Sequence, residues 1–309
     1  MVEFENVTKL YGTVIGVNDL SFTLKQGAYG LLGPNGSGKT TLINLLMGQL
    51  KPTIGMVRVL GANPWRDDSI LGRIGLCPAS ELLVANASAR QWVTFQTELH
   101  GFRHDMAQEL ADRSLEKVGL AGAAADRPIS TYSLGMRQRT KLAQALAHEP
   151  ELLVLDEPFN GLDPVGRHEM NDLLRAFVKD GGILLLASHV LHEVEAVKPN
   201  FLLICGGRLL ASGSPSEVRQ LLTDMPAEVR LETDDPQRLA SRLLEDGLVE
   251  RVKLEPDGAM VVMTRRAHEF FEQLRVYSGE SLVVRRMRGQ TESLDELFSL
   301  LMRRHRGEL

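Results

Sequence analysis

The alternation of apolar and polar positions near the start of the chain predicts two short strands. Residues 2–7 read VEFENV and residues 20–24 read LSFTL, and both alternate as half-buried antiparallel strands do. The apolar run AYGLL at 28–32 is typical of a buried strand. A glycine-rich loop follows it, and the apolar spacing at 42–46 favours a helix directly after that loop. The pattern therefore predicts a strand, a glycine loop and a helix in succession.

The pattern changes twice farther along the chain. From Trp65 to about Arg127, long helical stretches replace the short strands and predict an inserted helical subdomain at about residues 80–150. Two apolar runs follow, LLVL at 152–155 and ILLLA at 183–187, and both are strand-length. We expect an α/β core with a mixed sheet, an antiparallel part near the start and this helical insertion.

The last part of the chain has a pattern of its own. After SGSPSEV it reads β-α-β-β-α-β and ends in a helix beginning at SLDELF, which predicts a small α+β, ferredoxin-like domain. We place the domains at 1–222 and 226–309. The second has no phosphate-loop or metal-cluster pattern, so we expect a dimerisation or regulatory module there.

Composition excludes several classes of protein. The chain has 309 residues, 43% of them hydrophobic, which is enough for a sizeable core in more than one domain. Its net charge of −5 offers no global attraction to nucleic acid, and no nucleic-acid partner is expected. The apolar runs are too short to span a bilayer, and the start lacks a secretory h-region. Cys77 and Cys205 are isolated, so neither a zinc site nor a disulfide is predicted.

The glycine loop carries the pattern G-x-x-x-x-G-K-[ST], which binds nucleotide phosphates. Its glycines allow positive φ and close approach to a phosphate, Lys39 reaches the β- and γ-phosphates, and the hydroxyl of Thr40 binds Mg²⁺. A glycine-rich turn used only for packing is the alternative, and the complete pattern argues against it. The predicted phosphate-binding residues are Gly33, Asn35, Gly36, Ser37, Gly38, Lys39, Thr40 and Thr41.

Charged side chains are predicted at the carboxyl ends of two neighbouring strands. Asp156 and Glu157 follow LLVL, and His189 follows the run at 183–187. Because these strand ends face the ligand crevice of an open sheet, Asp156 is expected on the metal and Glu157 on the attacking water. His189 is either a hydrogen-bond donor to the γ-phosphate or a structural polar cap.

Other positions have two interpretations each. Tyr11 is either an aromatic that stacks on adenine or ordinary loop packing. Ser133 and Gly135 begin a strongly helical run, which is either an anion-binding helix start or a common cap. His100 and His104 are four apart without further ligands, so we interpret both as surface residues.

The set GPNGSGKTT, YSLGMRQR, LLVLDEP, GLDP and SH resembles, in this order, the ATP-binding cassette (ABC) transporter ATPases over about residues 1–222. The resemblance implies an ATPase that uses ATP and Mg²⁺ and works as a head-to-tail homodimer with two shared sites. It also implies roles for single residues. Tyr11 would stack on adenine, Glu157 would be the catalytic carboxylate and His189 the switch histidine. Asp163 would signal between subunits, and Ser133 and Gly135 would bind the nucleotide of the opposite subunit.

The chain departs from the family pattern at two places. The signature written LSGGQ in the family is Tyr132-Ser133-Leu134-Gly135-Met136 here, and this variant looks more like export-type ATPases. Ala79 stands where a glutamine is expected, so no amide is available there. Two alternatives remain open. Glu81 could substitute for the glutamine if the loop is shifted, or the site hydrolyses ATP more slowly.

The resemblance further implies a peripheral subunit on the cytoplasmic face of the inner membrane. Its partner would be a separately encoded transmembrane permease, so that membrane contact is indirect. A non-transport ABC switch protein and a low-turnover nucleotide-binding scaffold are the rival interpretations. Two arginine groups near the end are either a solvated face or a contact for anionic lipid or the permease. They are Arg285, Arg286 and Arg288, and Arg303, Arg304 and Arg306.

Overall fold

The chain forms two compact units, Met1–Pro215 and Ser216–Leu309, in this computed structural model. Residues 1–80, 83–190, 194–197, 199–214, 217, 227–255, 257–279 and 283–289 are described. Each unit has a hydrophobic core of its own. Among the described residues, no helix combines the length and the apolar character needed to cross a membrane.

A three-stranded antiparallel sheet begins the first unit. Its strands are β1 (Val2–Tyr11), β2 (Val14–Leu24) and β4 (Ile54–Val59), in the order β2-β1-β4. The two strands predicted at 2–7 and 20–24 are confirmed as an antiparallel pair, and both are longer than predicted. Their alternating apolar side chains point into the core of the unit.

A six-stranded mixed sheet places the candidate site. Its order is β5-β6-β7-β3-β8-β9, and only the edge strand β9 is antiparallel to its neighbour. The central strands are almost continuously apolar because both faces are covered. The carboxyl ends of β3, β6 and β7 therefore open on one edge of the sheet. The strand bounds are β3 (Gly27–Leu32), β5 (Ile74–Cys77), β6 (Leu152–Asp156), β7 (Ile183–Ser188), β8 (Asn200–Cys205) and β9 (Arg208–Gly213).

The helices after Trp65 begin later than the change of pattern there indicates. After Trp65 the chain forms a short 3₁₀ turn and strand β5, because Gly72, Gly75 and Pro78 interrupt the helical pattern. The first long helix starts at Ala89, after the capping box of Ser88 and Gln91. The helix bounds are α1 (Lys39–Leu46), α2 (Ala89–Leu99), α3 (His104–Lys117), α4 (Leu134–Leu146) and α5 (Pro164–Lys179).

The second unit contains a four-stranded antiparallel sheet with the order β11-β12-β10-β13. Its element order is β-α-β-β-α-β, as the sequence predicts. The predicted final helix, together with Arg303, Arg304 and Arg306, lies outside the described residues. The bounds are β10 (Ala227–Thr233), α6 (Pro236–Glu245), β11 (Arg251–Leu254), β12 (Met260–Thr264), α7 (Ala267–Gly279) and β13 (Val284–Gly289).

Candidate functional site

A cleft of about 400 Å³ opens at the carboxyl edge of the mixed sheet. It brings together most of the residues that the sequence predicts for nucleotide binding. The residues that line it are Tyr11, Val14, Ile15, Gly16, Asn35, Gly36, Ser37, Gly38, Lys39, Thr40, Thr41, Ala79, Asp156 and Glu157. A larger cavity of about 940 Å³ lies at the amino-terminal edge, near Glu151 and Ile183, and no residue of the glycine loop lines it. We therefore place the chemistry in the smaller cleft.

The glycine loop is held in a conformation that side chains would prevent. Gly38 has φ +109°, and a Cβ there would lie 2.7 Å from the carbonyl oxygen of Gly16. The sequence prediction of positive φ is wrong for Gly33, which lies outside that region. Gly33 is required for space instead, since a Cβ there would lie 2.4 Å from the carbonyl oxygen of Ile204. The absence of a Cβ at these two positions therefore lets the loop lie close to β2 on one side and β8 on the other.

Lys39 lies buried at the start of α1. Its Nζ donates hydrogen bonds to the carbonyl oxygens of Gly33 at 2.6 Å and Pro34 at 3.3 Å. Burial lowers its pKa, while the charges of Glu157 and Asp156 oppose that shift. The Ser37 hydroxyl is also buried and has no hydrogen-bond partner among the described residues. A phosphate oxygen in the cleft is the kind of acceptor that both groups fit.

The two carboxylates follow one another at the end of β6. Burial raises the pKa of Asp156, with a smaller contribution from Glu157, and the charges of Lys39 and Lys141 act in the opposite direction. Glu157 adopts φ +51°, a conformation that costs a non-glycine residue roughly 1–3 kcal/mol. Its backbone N–H still donates to the carbonyl of Ala187 at 2.9 Å, which fixes it to the neighbouring strand. The unusual backbone directs this side chain to the mouth of the cleft, where Glu157 lines it.

Both carboxylate oxygens of Glu157 have partners on the end of β7. His189 Nδ1 lies 2.8 Å from Oε1, and the hydroxyl of Ser188 donates to Oε2 at 3.3 Å. The Glu157 side chain is 14% exposed and that of His189 is 50% exposed. The Glu157 side chain is therefore largely enclosed, whereas half of the His189 side chain is in contact with solvent.

Oxygen ligands at the cleft fit a magnesium ion. Mg²⁺ is held in nucleotide sites by one or two carboxylates and hydroxyls together with phosphates and water. Thr40 and Asp156 supply one hydroxyl and one carboxylate to the same cleft. Across the described part of the chain, no three His, Cys, Asp or Glu side chains form a metal cluster, and a phosphate-bound Mg²⁺ does not require one.

Tyr11 belongs to an apolar platform at the mouth of the cleft. It is the last residue of β1 rather than part of a free loop, and 44% of it is exposed. The neighbouring Val14 and Ile15 are 63% and 51% exposed and line the same cleft. Gly16 leaves room for the tyrosine ring, since a Cβ there would lie 2.6 Å from Tyr11 Cε2. Such a platform suits a flat aromatic ring.

Five of the predicted residues do not line the cleft: Gly33, Ser133, Gly135, Asp163 and His189. Ser133 caps α4 by accepting a hydrogen bond from the backbone N–H of Met136 at 3.2 Å. Asp163 caps α5 in the same way, at 2.9 Å from the N–H of Gly166. A Cβ on Gly135 would lie 3.2 Å from the carbonyl of Gly161, so the starts of the two helices are neighbours. Ser133, Gly135 and Asp163 thus form a second polar site in the first unit, which we call the Ser133 corner.

Sequence reasoning missed three contributors. Ser188 contacts Glu157, and Gly16 borders both Tyr11 and Gly38. Ser188 precedes His189 at a strand end, and that position was a usable signal. Lys141 is 7% exposed in the middle of α4 and donates to the carbonyls of Pro78 and Ala79. No sequence pattern marks it, because lysines in helices usually face solvent.

The two histidines predicted on the surface are exposed, with different surroundings. The His104 side chain is 75% exposed and pairs with Glu98 at 2.6 Å. His100 stacks on the buried ring of His148, with 3.8 Å between the ring centroids. Burial lowers the pKa of His100 and lowers that of His148 to about 4. Neither histidine contributes to the cleft.

A buried strand, a phosphate-binding loop with Lys39, and an acidic pair on a nearby strand define a P-loop nucleoside triphosphatase. Comparison with known proteins narrows this class. The family model described as ABC transporter matches residues 17–160. The bacitracin transport ATP-binding protein BcrA of Bacillus licheniformis is 39% identical over 213 residues, which are 68% of this chain and 68% of that protein.

Two further relatives and two solved structures agree. The ABC transporter ATP-binding protein YxlF of Bacillus subtilis is 33% identical and aligns over 96% of this chain and 98% of its own length. The Nod factor export ATP-binding protein I of Burkholderia orbicola is 37% identical and aligns over 69% and 71%. A bacterial ABC transporter cassette solved as a dimer superposes with a TM-score of 0.65 at 22% identity, covering 69% of this chain and 98% of that one. A structure of the same cassette with ADP and phosphate gives 0.64.

The chain therefore belongs to the ABC transporter ATP-binding proteins and is an ATPase of that family. The comparisons confirm the resemblance to ABC transporter ATPases that the sequence motifs indicated. They also confirm the predicted P-loop ATPase fold of the core.

Proposed function

We propose that the chain is the ATP-hydrolysing subunit of an ABC exporter, driven by Mg·ATP bound in the cleft of the first unit. The observation that carries this proposal is the convergence of Lys39, Asp156 and Glu157 on one cleft. Two of the relatives are named for bacitracin transport and for Nod factor export, which supports the direction of transport. The signature variant beginning at Tyr132 supports the same assignment.

The proposal gives different tasks to several residues in and beside the cleft. Lys39 and the loop amides bind the phosphates, and Tyr11 stacks on the adenine. Thr40 and Asp156 would hold Mg²⁺, which neutralises phosphate charge when bound. Glu157 accepts a proton from the attacking water, while Ser188 and His189 hold its carboxylate in position.

A second copy of the chain completes the site in this proposal. Ser133 and Gly135 stand at a helix start outside the cleft, where backbone N–H groups favour an anion. Two chains placed head to tail would bring this corner to the γ-phosphate of the partner's nucleotide, and Asp163 beside it would carry the signal between subunits. The fold shared with a cassette solved as a dimer supports this arrangement.

A transmembrane permease, encoded separately, would carry the cargo. The proposed subunit is peripheral, on the cytoplasmic face of the inner membrane, and touches lipid only indirectly. Ala79 favours a second candidate function, because it lines the cleft at the position where the family pattern has a glutamine. A cassette without that amide would bind ATP and turn it over slowly, as a nucleotide-binding scaffold.

Phosphate release from the purified full chain tests the proposal and separates the two candidates. We expect Mg²⁺-dependent release that requires Lys39 and Glu157 and that rises when the permease is present. The Lys39→Ala variant is expected to lose ATP binding. Tight ATP binding with release at background level, with and without the permease, would support the scaffold instead. Loss of both binding and release would contradict both candidates.

A further inference from the structure

Lys141 is a buried cation next to the cleft. It stands in the middle of α4 and is 7% exposed. Its Nζ donates hydrogen bonds to the carbonyl oxygens of Pro78 at 2.9 Å and Ala79 at 3.4 Å. An ammonium group leaves water only at a large cost unless it is hydrogen-bonded, so these two carbonyls are part of what holds it there.

The same face of α4 also contacts Cys77, two residues before Ala79. Gln138, one turn before Lys141, is 3% exposed, and its amide contacts the sulfur of Cys77 at 3.5 Å. Cys77 ends β5, and its thiol is fully enclosed, which raises its pKa to about 12. Two adjacent turns of one helix thus contact three consecutive residues, Cys77, Pro78 and Ala79.

This contact joins two parts of the molecule that have different tasks. Ala79 lines the nucleotide cleft beside Asp156 and Glu157. The start of α4, two turns before Lys141, is the corner that Ser133 caps. An α-helix of this length is stiff, so a displacement at one end is transmitted along it.

We propose that Lys141 is a positioning residue that ties the Pro78–Ala79 wall of the nucleotide cleft to α4, so that this wall and the Ser133 corner move together. The proposal rests on the proposed function for the meaning of that corner. Ala79 itself has no polar side chain with which to make the link. Its backbone carbonyl makes it instead, through the ammonium group on the helix.

Hydrogen exchange and kinetics of the full chain test this role together. Lys141→Met keeps the apolar stem and removes the charge and its hydrogen bonds, whereas Lys141→Arg restores a charged donor. Lys179→Met removes an exposed lysine from α5 and is the matched control. We expect the backbone amides of Ala79 and Ser80 to exchange several-fold faster in Lys141→Met alone, because they lose their anchor.

Kinetics separate positioning from general stability. In Lys141→Met we expect kcat to fall roughly tenfold and KM for ATP to change by less than about twofold, since misplacing a cleft wall disturbs the reacting geometry more than binding. Lys141→Arg is expected to recover most of kcat, and Lys179→Met to match wild type. Unchanged exchange at Ala79 and Ser80, or unchanged kcat in folded Lys141→Met, overturns the proposal.

Two arrangements keep the test decisive. If Lys141→Met does not fold, Lys141→Leu, which also removes the charge and the hydrogen bonds, takes its place with the same expectations. If the wild-type chain lacks ATPase activity, the proposed function fails while the exchange comparison still reports on the anchor. Faster exchange with normal kcat would leave Lys141 as a purely structural residue and overturn its positioning role.

Discussion

His189 Nδ1 lies 2.8 Å from Glu157 Oε1, at the junction of two neighbouring strand ends. An ionised carboxylate only accepts hydrogen bonds, so His189 donates from Nδ1. Its Nε2 then donates as well only when both ring nitrogens are protonated. The predicted contact of His189 with the γ-phosphate stays a prediction. Because Nδ1 already donates to Glu157, Nε2 could donate to that phosphate only from a positively charged ring. Orienting Glu157 requires no such charge.

Replacing Glu157 by glutamine tests its role in hydrolysis. The amide keeps the shape of the side chain but accepts no proton from water, so we expect kcat to fall by roughly 10²-fold while ATP still binds. The ATP-bound variant is expected to accumulate as a dimer, measured by light scattering. Glu116→Gln on the exposed side of α3 is the control. A wild-type rate in Glu157→Gln would show that another group activates the water.

Because His189 contacts Glu157, we expect the effects on kcat of replacing these two residues to be non-additive. His189→Ala removes a hydrogen bond to a charged group, and we expect a fall in kcat of roughly tenfold, equivalent to about 1.4 kcal/mol. In the Glu157→Gln background the same change should have little further effect, because the carboxylate it orients is gone. Single-turnover kinetics of the four proteins in this cycle measure the coupling. Independent effects of the two changes would indicate that His189 acts on the phosphate by itself.

Tyr11 is expected to contribute to nucleotide affinity through its ring. Stacking of an aromatic side chain on a base contributes roughly 1–3 kcal/mol, so Tyr11→Ala should weaken ATP binding by about 5- to 150-fold. Its hydroxyl lies 3.4 Å from Thr41 Oγ1, which is a weak contact, and Tyr11→Phe should therefore bind as wild type does. Calorimetric titration with ATP compares the three proteins. Equal affinity in Tyr11→Ala would assign the tyrosine to local packing.

Local patterns predict the cleft well because each of its parts is contiguous in sequence. The loop from Gly33 to Thr41 and the pair Asp156–Glu157 carry their own spacing, and parallel strand order brings them together. The role of Gly33 was mispredicted, because a neighbouring strand, not the local backbone, decides it. Lys141 was missed for the same reason, since its partners lie about 60 residues earlier in the chain. Contacts between distant segments are what a one-dimensional pattern does not contain.

His148 is expected to make the first unit sensitive to acid. Burial lowers its pKa to about 4 from 6.5, so the unfolded chain binds a proton between these values and the folded chain does not. Stability is therefore full above about pH 6.5 and falls as the pH drops toward 4, by about 2 kcal/mol at about pH 5. Urea unfolding followed by the fluorescence of Trp65 and Trp92, both in the first unit, measures it.

Removing the titrating group should remove this part of the pH dependence. When the pH falls from about 7.5 to about 5, the free energy of unfolding is expected to fall by about 2 kcal/mol less in His148→Gln than in wild type. His168→Gln changes a histidine whose side chain is 72% exposed and should behave as wild type does. An identical pH dependence in His148→Gln would place the sensitivity elsewhere in the unit.

Ser133 and Ser88 allow the proposed shared site to be tested against simple helix capping. Each serine hydroxyl accepts a hydrogen bond from a backbone N–H at 3.2 Å, Ser133 at the start of α4 and Ser88 at the start of α2. Replacing either by alanine should cost about 1 kcal/mol of stability. Only Ser133→Ala is expected to lower ATP hydrolysis as well, because in the proposed dimer it alone contacts the partner's nucleotide.

A mixture of two variants decides whether that contact crosses between subunits. Ser133→Ala keeps an intact cleft, and Lys39→Ala keeps an intact Ser133 corner. Mixed in equal amounts, they form heterodimers in which one of the two shared sites combines a normal cleft with a normal corner. Since that site is complete, ATPase activity should reappear in the mixture at a fraction of the wild-type rate. If Ser133 acted within its own chain, every cleft in the mixture would be defective and activity would stay at the level of the separate variants.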